Sequence, residues 1–418
     1  MVQLWFDFSC PYAYLASRRA HELGVTIDWR PMLLGGVFRG IGSGAGPMAQ
    51  QSPAKAAHNY ADMHRWAALF EAPFAMPAGH PMRTVRALRT LLALPRTAWP
   101  DAIAAIYAAY WQRGEDVTSD DVLARALAAI PEAGAALARA DDAAIKDELR
   151  DRTDEAIRLG VFGAPAWIFP RSDREPLLIW GQDRFPWLAA ILAGWDPDAG
   201  APPGGPKPLT VTERATPGAT LDVYFDASSP FSYLALTQLP ALAAMGVVPR
   251  LVPILLGALF RDIGQANVPL LAMPPPKLRY MSLEMQRWAR WWGVPFVQPN
   301  KFPQRTVTAQ RLAILAADQG YETGHRLALA LGRAMWAEGR DLEDADATLR
   351  QILDANGLSP ELVARTQDPE IKARLAANTA AAKAAGVFGV PTFVVNGVHL
   401  YWGQDRMDLV RRALAGTP

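Results

Sequence analysis

The chain has 418 residues, half of them hydrophobic, with 42 Lys and Arg against 41 Asp and Glu. That length accommodates two domains of ordinary size, and a net charge of +1 without a basic run argues against nucleic acid or an anionic membrane as main partner. The single cysteine, Cys10, excludes an intramolecular disulfide.

Met1 leads directly into residues 2–8, an apolar and aromatic run that reads as a short buried strand with no secretory signal before it. Pro11 suits the first turn of a helix expected over 12–23. Residues 25–29 form a second strand. From about 53 to 160 the pattern is helical, with helices over 54–70, 82–94, 101–111 and 141–159. Strand signals return at 166–169 and 177–180, and a last helix starts from Arg184. Residues 196–219 are rich in Pro and Gly, lack apolar periodicity and read as an exposed linker. Charged residues interrupt the Ala-rich stretches at helical intervals, so no spanning segment is expected and the chain reads as soluble and cytoplasmic.

After the linker the same text begins again. Asp7-Phe8-Ser9-Cys10-Pro11 is answered by Asp226-Ala227-Ser228-Ser229-Pro230, and Arg83-Thr84-Val85 by Arg305-Thr306-Val307. Gly160-Val161-Phe162-Gly163-Ala164-Pro165 is answered by Gly386-Val387-Phe388-Gly389-Val390-Pro391, and Trp180-Gly181-Gln182-Asp183-Arg184 by Trp402-Gly403-Gln404-Asp405-Arg406. An offset staying near about 220 makes this a tandem duplication, too long in period for a solenoid. Copy one spans 1–195 with a helical insertion over about 50–160; copy two spans 220–418 with an insertion over about 272–385. The class is α/β, a helical subdomain set into each sheet unit.

Three motifs carry chemistry. Cys10 and Ser229 stand directly before a proline at a helix start, where unpaired backbone N–H groups and the macrodipole favour an anion. Cys10 is therefore expected to ionise more readily than a free cysteine, or the site to hold the thiolate of a bound thiol, to which Ser229 would donate a hydrogen bond. Both are expected to face a cleft beside Pro165 and Pro391. The plainer alternative is a small buried apolar Cys10 and an ordinary N-cap at Ser229. Second, Phe-Gly-x-Pro before a strand suggests cis bonds at Pro165 and Pro391, leaving the backbone of Ala164 and Val390 open to an added peptide strand; a plain turn is the alternative. Third, Asp183 and Asp405 are placed to accept an ammonium group, or simply to cap a helix with Arg184 and Arg406 exposed behind them. The six histidines show no ligand spacing, so no metal is expected.

In this order the motifs resemble the thioredoxin-fold branch that contains DsbA-like proteins, kappa-class glutathione transferases and 2-hydroxychromene-2-carboxylate isomerases. The opening pattern of the last two, Asp-x-x-Ser-Pro-x-Ser-Tyr-Leu, is matched from Asp226 to Leu234. The resemblance implies two tandem thioredoxin-like domains, each with an inserted all-helical subdomain, and glutathione as cofactor. It implies that Ser229, with Cys10 as counterpart, stabilises the glutathione thiolate. Val390 and Ala164, before Pro391 and Pro165, would pair with the cysteinyl backbone; Asp405 with Arg406, and Asp183 with Arg184, would hold the γ-glutamyl end. A Lys-x-x-Tyr motif is matched by Lys277 and Tyr280, and an Asn-x-Pro upstream of it by Asn267. Copy one keeps Lys55 but has His58 in place of the tyrosine, and Cys10-Pro11-Tyr12-Ala13 resembles a Cys-Pro-x-Cys motif without its second cysteine.

The implied activity is that of a glutathione-dependent isomerase or transferase acting on small aromatic or conjugated carboxylates. Lys277 and Arg305 would hold acidic groups; Trp288 and Trp292 would line the substrate side or, as is commoner for aromatics at helical spacing, sit in the core. Two readings stay open beside it: a monothiol thiol–disulfide oxidoreductase working through Cys10, and a duplicated binding scaffold without catalysis. The expected partner is a small-molecule substrate, with no nucleic acid and no membrane. The chain would be an intramolecular pseudo-dimer, with further oligomerisation left open.

Overall fold

A computed structural model describes residues 1–44, 46, 51–266 and 268–417. The chain divides into two compact units. Unit one comprises Met1–Gln51, Tyr60–Ala193 and Pro274–Lys277; unit two comprises Ser52–Asn59, Gly194–Met273 and Leu278–Pro418.

In unit one, β1 (Val2–Phe6) is buried except at Gln3, a run apolar on both faces as a covered strand requires. It pairs in parallel with β2 (Ile27–Pro31), which demands a crossover between them. The helix Pro11–Arg19 and a tight turn over Ala20–Leu23 supply it. The chain then leaves the sheet for the helical insertion and returns as β3 (Ala166–Phe169), antiparallel to β1, and β4 (Leu177–Trp180). The order is β2-β1-β3-β4. Unit two repeats it with β5 (Leu221–Phe225), β6 (Arg250–Pro253), β7 (Thr392–Val395) and β8 (His399–Trp402), in the order β6-β5-β7-β8, with Pro230–Ala243 as its crossover helix. The expected α/β architecture, two sheets each carrying a helical insertion, is what the chain forms. Among the described residues no helix is long and apolar enough to cross a membrane.

Three local expectations shift. The second strand starts at Ile27 rather than at 25. The helix expected from 82 starts at Val85, because Thr84 serves as N-cap residue and spends its hydroxyl on Asp7. The stretch 196–219 is mostly exposed but tethered along unit two: Asp198 pairs with Arg287 at 2.8 Å, the Leu209 N–H bonds Gln238, the Thr216 N–H bonds the Leu414 carbonyl, and Glu213 pairs with Arg411.

What joins sheet, first helix and insertion is one buried carboxylate per unit. Asp7 accepts from the Ser9 N–H at 3.0 Å, the Leu34 N–H at 2.8 Å and the Thr84 hydroxyl. Asp226 accepts from the Ser228 N–H at 2.9 Å, the Leu256 N–H at 2.9 Å and the Thr306 hydroxyl at 2.6 Å. Burial raises the pKa of both above the ordinary 3.8, outweighing the lowering effect of these bonds. The stability this group contributes is therefore full below pH 3.8 and lost as pH rises through its folded-state pKa. Asp226→Asn keeps one acceptor but turns an amide N–H toward a donor. It is expected to cost about 1–3 kcal/mol in urea unfolding and to flatten this part of the stability–pH profile; an unaltered midpoint and profile would contradict the role assigned to Asp226.

Candidate functional site

The two sites begin with the same backbone device. A residue before proline is pushed out of the helical region into extended conformation, which is the N-cap conformation. Cys10 (φ −96°, ψ 112°) and Ser229 (φ −97°, ψ 120°) both adopt it, with Pro11 and Pro230 opening their helices. Opposite them lie the cis peptide bonds Ala164–Pro165 and Val390–Pro391. The Cys10 thiol donates to the Ala164 carbonyl at 3.1 Å, and the Ser229 hydroxyl to the Val390 carbonyl at 3.2 Å. Sequence-predicted residues 154 apart in unit one and 161 apart in unit two are thus brought together.

The two side chains then differ. The Ser229 Oγ also accepts from the Ser232 N–H at 3.2 Å, capping its helix, whereas Cys10 makes no side-chain cap. Both side chains are nearly buried: Cys10 is 6% and Ser229 3% exposed. Each lies against the cis-proline loop, whose carbonyl accepts its side-chain hydrogen. For Cys10 the consequence reverses an expectation. Burial pushes its thiol up to about 12; the nearby Ala13 N–H lowers it by less than burial raises it, and nearby Asp7 adds to the rise. The helix N-terminus is present, but desolvation exceeds its help.

The Trp-Gly-Gln-Asp-Arg corner follows β4 and β8. Asp183 pairs with Arg184 at 2.7 Å, and Asp405 with Arg406 at 3.2 Å. Glycine is required before them twice over. Gly181 (φ 113°) and Gly403 (φ 106°) lie where L side chains rarely go, and a Cβ on either would stand 2.5 Å from an oxygen of the following aspartate. The corner is stitched to the cis-proline loop by the Gly181 N–H on the Pro165 carbonyl at 3.1 Å and the Gly403 N–H on the Pro391 carbonyl at 2.9 Å. The Trp180 and Trp402 indoles lie against the loop glycines: a Cβ on Gly163 or Gly389 would meet the indole nitrogen at 2.9 or 2.7 Å.

The remaining expected residues are distributed less simply. Lys55 lies in unit two, its ammonium 5.2 Å from the Trp402 ring centroid; Lys277 lies in unit one, 5.5 Å from that of Trp180. Tyr280 is buried in unit two, under the Arg287 guanidinium at 5.7 Å. Trp288 and Trp292 pack on each other at 4.7 Å as core residues. Arg305 points to solvent and pairs with Glu343 at 3.4 Å. Asn267 lies outside the described residues. Asp7, Asp226, Thr84 and Thr306 complete the picture and were not singled out from the sequence, although the repeated Arg-Thr-Val was the signal that could have found the threonines. A cavity of about 550 Å³ in unit one, lined by His21, Asp28, Trp29, Arg96 and Trp99 among others, shares no residue with either site.

A sheet of this order, with a cis-proline loop facing the N-cap of its first helix, defines a thioredoxin-like domain, and the chain has two. The chain belongs to the DsbA-like thioredoxin family, whose domain model matches it over residues 1–193 and again over 220–415. The 2-hydroxychromene-2-carboxylate isomerase of Sphingobium xenophagum is 30% identical over 203 residues, covering 47% of this chain and 97% of that protein. Glutathione S-transferase kappa 1 of Caenorhabditis elegans is 29% identical over 204 residues, 46% of this chain and 88% of its own. A solved 2-hydroxychromene-2-carboxylate isomerase structure is 26% identical, with a TM-score of 0.43, covering 47% of this chain and 95% of that one. Each of the two sequence relatives takes up about half of the chain, in keeping with a family domain that occurs twice in it.

Cys10 provides a direct check. A thiol held near 12 has on the order of a thousandth of the thiolate of a free cysteine at neutral pH. Alkylation by iodoacetamide is expected to be at least about 100-fold slower in the folded protein than after denaturation, and equal rates would refute the assignment.

Proposed function

We propose that the chain is a glutathione-dependent isomerase or transferase of small conjugated or aromatic carboxylates, with the Ser229 site as its working centre and a reducing cytoplasm supplying the thiol. The observation that carries this reading is the pairing of Ser229 Oγ with both the Ser232 N–H and the Val390 carbonyl. A hydroxyl can swing its proton from one acceptor to another. Turned from Val390 toward a bound sulfur, Ser229 would donate a charge-assisted bond to a thiolate at the positive end of a 14-residue helix. The Val390 carbonyl would then be released to accept a backbone N–H of the ligand, as an edge strand does.

The donor set fits an anionic sulfur: an O–H beside first-turn N–H groups, with water largely excluded, where such bonds are stronger than in water. Glutathione, when bound, would supply a nucleophilic thiolate for reversible addition to a conjugated carbonyl compound. Ser229 would hold the negative charge on sulfur before addition and again on departure. The Trp402-Gly403 corner would fix the loop that carries Val390. The family names of the relatives support this reading, and so does the match of the opening pattern through Leu234. The reading of Cys10 as a monothiol redox centre is opposed by its burial and raised pKa.

Calorimetric titration of the full chain with glutathione tests the proposal. Ser229→Ala is expected to weaken binding about tenfold or more, the value of one charge-assisted hydrogen bond, and to reduce the ultraviolet thiolate absorbance of the bound ligand. Cys10→Ala should leave both nearly unchanged. Wild-type affinity retained in Ser229→Ala would sink the reading.

A further inference from the structure

The first turns of the helix Pro53–Leu69 come from copy one in sequence but belong to unit two. Lys55 and His58, three residues apart and so on one helical face, both engage Trp402 there. The Trp402 backbone N–H donates to His58 Nε2 at 3.2 Å. The imidazole stands edge-on to the Phe388 ring at 5.4 Å and to the Trp402 indole at 6.3 Å. His58 Nδ1 is 3.4 Å from the Asn59 Oδ1, which suits the neutral tautomer protonated on Nδ1 and accepting on Nε2. Phe388 and Gly389 belong to the loop that presents Val390 to Ser229, and the Trp402 indole rests on Gly389. From Ser229 to His58 there is therefore an unbroken run of contacts: hydroxyl to Val390 carbonyl, loop to indole, strand amide to imidazole.

Lys55 adds a charge. Its ammonium lies over the Trp402 ring, has no carboxylate within ion-pair reach among the described residues, and is largely taken out of water, which lowers its pKa. A cation so placed lacks a counterion that a bound acid would provide.

We propose that Lys55 and His58 serve the Ser229 site rather than the Cys10 site that shares their copy: His58 is a positioning residue that holds Trp402 and the cis-proline loop, and Lys55 receives a carboxylate of the molecule bound there. The proposal rests on the glutathione reading above. It also gives a meaning to the histidine that replaces tyrosine in copy one. That replacement belongs to the working site of copy two, and is no sign of a decayed copy one. Lys277 over Trp180 in unit one is the reciprocal instance for the lysine.

The test uses the full chain. His58→Phe fills the space without an acceptor, and is expected to weaken glutathione binding about tenfold and to speed hydrogen exchange at the Trp402 amide. His58→Gln, which keeps an acceptor, should restore both to within about threefold. A His58→Phe protein indistinguishable from wild type, or a His58→Gln protein as impaired as His58→Phe, overturns the positioning role. Combined with Ser229→Ala, His58→Phe should be less than additive; combined with Cys10→Ala it should be additive, and the reverse pattern overturns the assignment to the Ser229 site. For Lys55→Met, about tenfold weaker binding of glutathione, or of cinnamate to the glutathione-loaded protein, identifies the thiol or the co-substrate as source of the carboxylate; no loss for either overturns the role of Lys55. If wild type binds no glutathione the functional reading fails, while the exchange rate at Trp402 still decides the positioning claim.

Discussion

A buried carboxylate at the end of the first strand is the constraint from which each site follows. Asp7 and Asp226 are almost wholly removed from water, and such a group is tolerated only when its oxygens are met by donors. The donors come from three separate parts of the chain: the turn into the first helix, the segment after the second strand, and the N-cap threonine of an inserted helix. Satisfying the carboxylate therefore fixes where the first helix begins, and with it the N-cap side chain that meets the cis-proline loop. Other ties are repeated bond for bond. Thr153 and Thr379 accept the N–H groups of Leu33 and Leu255. The Trp111 and Trp336 indoles donate to the carbonyls of Phe8 and Ala227, and the Tyr14 and Tyr233 hydroxyls to those of Pro73 and Pro295.

Within that shared frame the interiors have diverged in a compensated way. In unit one Tyr107 packs on Tyr14 at 5.6 Å and its hydroxyl donates to the Asp7 carbonyl, while Leu88 is buried on the helix that follows Thr84. In unit two the position equivalent to Tyr107 is Gly332, where a Cβ would already stand 3.0 Å from Tyr233. The position of Leu88 is taken by Gln310, whose amide donates to the carbonyls of Phe225 and Ile254. A large aromatic with a hydroxyl plus an apolar neighbour has been exchanged for a glycine plus an amide, keeping the backbone behind the site hydrogen-bonded. The change from thiol to hydroxyl at the N-cap has no such compensation. A hydroxyl accepts and donates at once, whereas a buried thiol is a weak donor that resists ionisation, so one backbone presents two different chemistries.

The crossing of Lys55 and His58 into unit two shows how a duplicated chain can hide the ownership of a residue. Each copy carries its own lysine at matching positions, yet each lysine is found over the tryptophan of the other copy's corner. An amphipathic helix determines which residues share a face, but not which sheet that face meets.

Much of this was legible in the amino-acid order, wherever the physics is local. The duplication, the strand–helix–strand sequence, the extended residue before each proline at a helix start and the cis-prolines all follow from periodicity and proline geometry. The raised pKa of Cys10, the threonines that satisfy Asp7 and Asp226, the tether along 196–219 and the placement of Lys55 and His58 did not. Desolvation is a sum over everything that surrounds a group, and hydrogen-bond partners are chosen by proximity in space. Both depend on segments tens to hundreds of residues apart, so only the folded chain could decide them.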